Sequence, residues 1–395
     1  MPIPRARFGG GPAALLAALL VAGSACAAPT TVGDAALEPV ALKDLPGFPG
    51  SDPAAALDAF RRVCAAPPPA QPQPATVLGD PADLAAACAA ARDTAPGEAA
   101  AFFRDNFDAF RVVRPDGRPG FLTGYFEPEM AGSREPGPGF TAPVLARPDD
   151  LVGLGAGETR PGLDPGLRAA RATASGFEPY PDRAAIEDGA LGARARPILW
   201  LRDGVDLLVL QVQGSGRVRL PDGTAVRVLY DGRNGRPYTA VAKLIVQEGH
   251  LPLEGLTLAR WTAWLRAHPD TARRLIRQNA SYIFFRLAPV EDPALGPPGA
   301  ANAPLSPGRS VAVDGGLWRY GLPFWLAGRL PGPAPGTTPD AAGRLVVAAD
   351  TGSAIVGPAR GDLYLGTGAE AGAAAGNLRD PVGFVVLLPK PRARP

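Results

Sequence analysis

Apolar and polar positions change their period several times along this chain, and each change predicts a change of element. From 51 to 111 the pattern is helical, with Phe103, Phe107 and Phe110 at i, i+4 and i+7 on one face. From about 118 it breaks into runs of strand length: GFLTGYFEPEM, TAPVLAR, ARPILWL, DLLVLQVQGSGRVRL and TAVRVLY. Turn signals such as PDG at 221–223 and DGRNG at 231–235 divide them. A β-domain follows, a small barrel or a sandwich. Helix returns near 239–249 and 257–278, where Trp261, Trp264 and Leu265 share a face. Strands resume in YIFFR, SVAV, PFWLA, LVVAAD, DLYLG and GFVVLLP, and no segment repeats another. Helical segments on both sides of the β-block predict a discontinuous parent domain that carries an insertion.

Composition sharpens this picture. The 395 residues allow about two domains, and an apolar fraction of 46% can build a real core. Glycine and proline, 49 and 47 residues, are far above average usage, which favours turns and short strands over a helical bundle. A formal net charge of +2 supplies no strong field for nucleic acid or an anionic membrane surface, so neutral partners fit better.

The N-terminus has Arg5 and Arg7, an uncharged apolar run from Ala13 to Ala22, then GSACAAP, the pattern of a secretory signal. That run is too short to span a bilayer as a mature anchor. Cys26 follows small residues and admits two readings, lipidation at its thiol or ordinary cleavage close by. The expected organisation is a signal peptide over 1–26, a tether over 27–50, a parent domain over 51–122 and 245–395, and an insertion over 123–244. In an exported chain the remaining cysteines, Cys64 and Cys88, most simply form one disulfide. His250 and His268 are the only histidines and neither lies near a cysteine or carboxylate cluster in sequence, so no metal is expected.

Five stretches are too polar or glycine-rich for plain core strands: TGYFEPE at 123–129, QVQGSG at 211–216, YDGRNGRPY at 230–238 followed by Lys243, RQNASYIFFR at 277–286, and DTGSAIVGPARGD at 350–362. In the second, alternation puts Gln211 and Gln213 on one face of a strand. GTGAEAG at 366–372 fails the dinucleotide spacing and no G-x-S-x-G elbow occurs, which disfavours a nucleotide site and a serine hydrolase. Carboxylates remain. Asp350 ends an apolar strand and Asp362 opens another, with small residues between that let a polymer approach the backbone. Two neighbouring acids raise one another's pKa and desolvation adds to it, so one can stay protonated near neutral pH and act as a general acid.

Together, in this order along 118–389, the five stretches and the closing VVLLP resemble the membrane-bound lytic murein transglycosylase A family with its C-terminal three-aspartate (3D) module. The resemblance implies a mainly β fold with helices, a double-psi β-barrel as parent domain, and an inserted second β-domain that is barrel-like. Between them it implies a groove for a peptidoglycan glycan strand. It further implies cleavage of the β-1,4 bond between N-acetylmuramic acid and N-acetylglucosamine with a 1,6-anhydromuramoyl product and no cofactor. By motif position Asp362 is the catalytic acid, Asp350 supports it, and Asp314 is structural. Tyr125, Gln213, Gly214, Ser215, Lys243, Gln278 and Asn279 fall on substrate-binding positions. Gly352-Ser353 and Val356 depart from the family's usual glycine pair and lysine. Competing readings are a noncatalytic glycan-binding protein and an ordinary glycoside hydrolase, the latter needing Glu127, Glu129 or Glu370 as a second carboxylate. Exported placement, periplasmic or at the outer membrane through Cys26, and other cell-wall enzymes as partners complete the expectation.

Overall fold

The computed structural model describes residues 30–48, 51–69, 73–155, 158–333, 336–352 and 354–391; the signal-like segment and Cys26 lie outside them. Two short strands, β1 (Thr30–Val32) and β2 (Ala35–Val40), come first, then three helices, α1 (Pro53–Ala65), α2 (Pro81–Arg92) and α3 (Ala99–Asn106). Asp52 and Asp80 cap α1 and α2, each accepting from a backbone amide of the first turn, with proline at the first helical position. Cys64 and Cys88 are disulfide-bonded and join these two helices.

The stretch expected as a tether is therefore partly sheet: β2 pairs antiparallel with β3 (Phe107–Val113). A second difference concerns the phenylalanines. The helix stops at Asn106, Phe107 is already extended, and burial then alternates along β3, so Phe107 and Phe110 belong to a strand. Packing decides this, because Phe60, Phe102, Phe103 and Phe107 meet edge-on or tilted at centroid distances of 5.1–6.2 Å. Burying each ring is worth about 1.5–3 kcal/mol.

The parent sheet then takes β4 (Gly120–Glu127) and, after the insertion, β14 (Ser310–Val313), β15 (Pro323–Ala327), β16 (Gly343–Asp350), β17 (Arg360–Thr367) and β18 (Arg379–Pro389). Its order is β1-β2-β3-β18-β15-β16-β14-β17-β4, and a further β18–β4 pairing closes the last six strands into a barrel. Two of its six pairs are parallel (β14 with β16, β17 with β4) and four antiparallel, a mixed barrel consistent with the double-psi type. Leu122, Phe126, Val311, Val346, Leu363 and Phe384 fill its interior. The helices α1–α3 cover one outer flank.

The insertion begins with β5 (Glu129–Ser133) and β6 (Ala142–Leu145). A small three-stranded sheet follows, β7 (Leu151–Gly153), β8 (Ala169–Thr173) and β9 (Gly176–Pro179). Next come α4 (Arg183–Glu187), β10 (Pro197–Leu201), α5 (Gly204–Gln213), β11 (Ser215–Arg219) and β12 (Ala225–Arg233). The helices α6 (Val241–Gln247), α7 (Leu258–Ala267) and α8 (Pro269–Arg277) precede β13 (Ile283–Pro289). Its main sheet runs β13-β12-β11-β5-β10-β6. Val241, Ile245, Trp261, Leu265 and Leu275 from the three helices pack into the same core as Val218 and Phe285. The insertion thus runs to about residue 289 rather than 244, because those helices cover its own sheet, and β4 belongs to the barrel.

Residues 204–213 are another correction: DLLVLQVQ is helix, and Gln211 and Gln213 do not share a strand face. The run is apolar all round because α5 is buried nearly all round, which erases the period that tells helix from strand. Its punctuation was in the sequence: Asp203 caps it, accepting from the Asp206 amide at 2.8 Å, and Gly214 ends it in the left-handed conformation at φ +78°.

Candidate active site

The two aspartates are brought together by register. Asp362 on β17 pairs with Ala312 of β14, and Ala312 pairs on its other side with Asp350 of β16. The second pairing exists because the β14–β16 ladder slips between Val311 and Ala312, a bulge that re-aims one side chain. Two strand spacings separate the acids, about 10 Å between Cα atoms. Beyond Asp362 the row continues to Thr123 on β4 and Arg379 on β18. Paired residues share a face, so acid, acid, hydroxyl and guanidinium line one outer stripe of the barrel.

Alternation along β4 explains the stripe: Leu122 and Phe126 point into the core while Thr123, Tyr125 and Glu127 point out. On β17, Leu363 and Leu365 point in, and Asp362 and Tyr364 share the outer side. Thr123 Oγ1 donates to Asp362 Oδ1 at 2.6 Å, and Arg360 Nη2 donates to Thr123 Oγ1 at 2.8 Å. Among the described residues, Asp362 Oδ2 has no hydrogen-bond donor. Asp350 is more enclosed by donors: Tyr125 Oη reaches its Oδ2 at 2.8 Å, and the amides of Ala300 and Thr351 reach Oδ1, each at 2.9 Å.

Both carboxyl groups are half-buried. Burial raises Asp362 to about 6, opposed by the Thr123 hydrogen bond and the Arg360 charge and aided by the charge of Asp350. Burial also raises Asp350, against its three donors. Desolvation therefore outranks like-charge repulsion, the reverse of the order the sequence suggests. Asp314 accepts from the amides of Gly316 and Gly357 at 3.0 and 2.8 Å and so fastens the loop between the two acids.

A cleft of about 290 Å³ opens beside this stripe, between barrel and insertion. Thr123, Arg379 and the small residues Gly372, Ala375 and Gly376 of α9 (Ala369–Asn377) line one wall; Gln213, Tyr238 and Trp261 stand on the other. Neither Asp362 nor Asp350 is among the lining residues; Asp362 stands one hydrogen bond behind Thr123, which is.

The remaining expected binding residues scatter. Gln213 lines the cleft, with Gly214 and Ser215 just behind it at the α5–β11 junction. Tyr125 spends its hydroxyl on Asp350, tilts its ring against Tyr364 at 5.3 Å and is not among the cleft-lining residues. Lys243 is exposed on α6 outside the cleft lining, and Gln278 is exposed and likewise outside it. Asn279 is 2% exposed and its Oδ1 accepts from the amides of Thr239 and Ser281, a structural knot inside the insertion and not a cleft residue. Thr123, Arg360 and Arg379 were not singled out from sequence; the outward alternation of Thr123 with Tyr125 and Glu127 was the signal available for the first.

A closed barrel interrupted by a second β-domain, with half-buried acids at the seam, defines the class of molecule. Residues 121–286 match the model of the MltA specific insert domain, and residues 309–388 match that of the 3D domain. The chain belongs to the MltA family with its 3D domain. A membrane-bound lytic murein transglycosylase from Agrobacterium tumefaciens is 35% identical, with 89% of this chain and 97% of that one covered and a TM-score of 0.76. Membrane-bound lytic murein transglycosylase A of Vibrio cholerae is 33% identical over 205 residues, 50% of this chain and 53% of that protein, so the match spans about half the length of this curated relative. The structure of E. coli MltA with bound chitohexaose shares the fold at 22% identity and a TM-score of 0.62, covering 90% of this chain and 95% of that one.

Proposed function

We propose that this chain is a lytic transglycosylase of peptidoglycan. Asp362 acts first as acid and then as base at the β-1,4 bond between N-acetylmuramic acid and N-acetylglucosamine. One observation carries the reading: a half-buried carboxyl raised to about 6, with one oxygen held by Thr123 and the other free of donors among the described residues, one hydrogen bond from the lining of an interdomain cleft. Oδ2 gives its proton to the leaving glycosidic oxygen as the C1–O bond breaks. The carboxylate so formed takes the proton of the muramoyl C6 hydroxyl as that oxygen bonds to C1, which closes the 1,6-anhydro ring and restores the acid. Asp350 is the supporting acid: held by Tyr125 and two amides, its charge keeps Asp362 protonated to higher pH.

The glutamates that the hydrolase reading calls on are ion-paired or outside the cleft lining, and Asp350 is already held by Tyr125 and two amides. Glu127 is ion-paired with Arg217 and Arg227, Glu129 with Arg219, and Glu370 lies exposed in the first turn of α9 and is not among the residues lining the cleft. The resemblance to a relative seen with a β-1,4-linked N-acetylglucosamine hexamer supports a glycan strand as the occupant of the cleft. Relatives named membrane-bound support placement in the cell envelope, with Cys26 as the candidate anchor; the intact mass of the exported protein decides between lipid and plain cleavage.

Mass spectrometry of digested murein tests the reaction. Anhydro ends support the proposal, reducing ends would mean hydrolysis, and intact strands would mean a binder. Asp362→Asn is expected to slow release of anhydro ends by at least about a hundredfold; release at the normal rate would refute the assignment.

A further inference from the structure

We propose that Arg379 is a carboxylate-binding residue that favours muramoyl units bearing an anionic 3-O-lactyl substituent, either the free lactate or one extended by a stem peptide. The inference rests on the transglycosylase reading and adds a specificity to it.

Arg379 closes the row that holds the acids. It pairs with Thr123 across the β18–β4 seam, and Thr123 pairs with Asp362, so Arg379 stands on the same face two strands from the proton donor, about 10 Å between Cα atoms. Its side chain is exposed and makes no ion pair or hydrogen bond among the described residues, whereas the neighbouring Arg360 is committed to Thr123 and lies against the Phe121 ring at 5.4 Å. Among the described residues it is also the one charged residue lining the cleft; the other wall-forming side chains are apolar, small or neutral, with Trp261 and Tyr238 among them. Rings and small residues suit the neutral faces and acetamido groups of a saccharide. A single planar cation suits a single carboxylate, which guanidinium can clamp with two parallel hydrogen bonds. In a muramoyl residue the lactyl ether at C3 and the scissile bond at C1 leave the same ring, so a group that recognises the first while Asp362 protonates the second must stand a short way along the stripe. Arg379 stands there.

A competing account is structural: Arg379 follows the end of α9 at Asn377, where the carbonyl end of a helix favours a cation. The two accounts predict different data. Binding is measured by calorimetry in the Asp362→Asn background, which holds turnover still, with and without Arg379→Gln. Three probes are used: neutral chitohexaose, amidase-stripped muramoyl oligosaccharides with free lactyl carboxylates, and the same oligosaccharides with stem peptides. We expect Arg379→Gln to weaken one or both anionic probes by about tenfold at low salt, less at high salt, and chitohexaose by less than about twofold. Loss on the stripped strands identifies the lactyl carboxylate; loss on the peptide-bearing strands alone identifies the peptide's. Equal weakening of all three probes, or of none, overturns the proposal. If the glutamine variant melts early, Arg379→Lys, which keeps the charge at the helix end but lacks the planar fork, carries the same comparison. A wild-type protein that releases no anhydro ends would refute the transglycosylase reading while leaving the binding contrast readable.

Discussion

Asp362 is tuned by neighbours that pull in opposite directions, and Arg360 acts on it twice. Its charge lowers the carboxyl pKa that burial raises. Its Nη2 also occupies a lone pair of Thr123 Oγ1, so the single proton of that hydroxyl is directed to Asp362 Oδ1 and the acid's own proton is left to Oδ2. Arg360→Met removes both effects. Because the proposed mechanism cleaves the bond with the protonated acid, activity is expected to fall as pH rises through about 6 in the wild type. Loss of the cation moves the Asp362 pKa up, so the alkaline limb of kcat/KM is expected to shift to higher pH while kcat drops by about tenfold, the worth of one mis-set hydrogen bond. Arg360→Lys should return the limb toward the wild-type position without restoring the full rate. A pH–rate profile checks this; a fall in rate with an unmoved limb would mean that Arg360 only holds the loop together. Both aspartates are legible in the sequence because each stands at the end of an apolar run with small residues beside it. Thr123 is not, since its bond to Asp362 spans 239 residues and depends on which strand β17 chooses as its parallel neighbour.

At the scale of elements, the insertion is legible as a β-block but its edges are not. Helices α6–α8 carry an ordinary apolar face, and nothing in a periodicity says which sheet that face will cover. The DGRNG turn shows the opposite case, in which a local signal is right about shape and silent about purpose. Asn234 is fully buried and its side chain makes four hydrogen bonds: it donates to the carbonyls of Pro181 and Ala280 and accepts from the amides of Arg236 and Tyr282. Gly235 follows at φ +71°, and a Cβ there would sit 2.1 Å from the backbone nitrogen of Ala169. The glycine is therefore required for close approach of β8 as well as for its dihedral angle. Gly235→Ala is expected to cost about 3 kcal/mol or more, against about 1 kcal/mol for Gly162→Ala, where the angle is similar but nothing lies within 4 Å. Paired thermal melts measure the difference; equal losses would mean that the strand moves aside.

Across the whole molecule, the cleft exists only while barrel and insertion keep their angle, and the chain passes between them twice. Both passages meet at Glu127. It ends β4 at 1% exposure, accepts from Arg227 Nε at 2.7 Å and from Arg217 Nη2 at 3.3 Å, both from the insertion, and from Thr367 Oγ1 of the barrel at 2.7 Å. The same two arginines donate to the carbonyls of Pro293 and Leu295, where the chain returns to the barrel. One carboxylate thus ties the outgoing strand, two insertion strands and the returning segment into a single joint. Removing its charge leaves two guanidinium groups buried without their partner, a loss of about 3–5 kcal/mol, while exchanging all three charged residues for apolar ones of similar volume costs far less. Glu127→Gln is therefore expected to lower the melting temperature and split one calorimetric transition into two as barrel and insertion uncouple. A variant with Glu127, Arg217 and Arg227 all replaced by Met or Leu should recover most of the stability yet bind glycan more weakly. Apolar contacts hold the halves together without fixing the angle at which Trp261 and Tyr238 face Thr123 and Arg379. A triple variant that matched the wild type in both melting and binding would place control of that angle elsewhere than at Glu127.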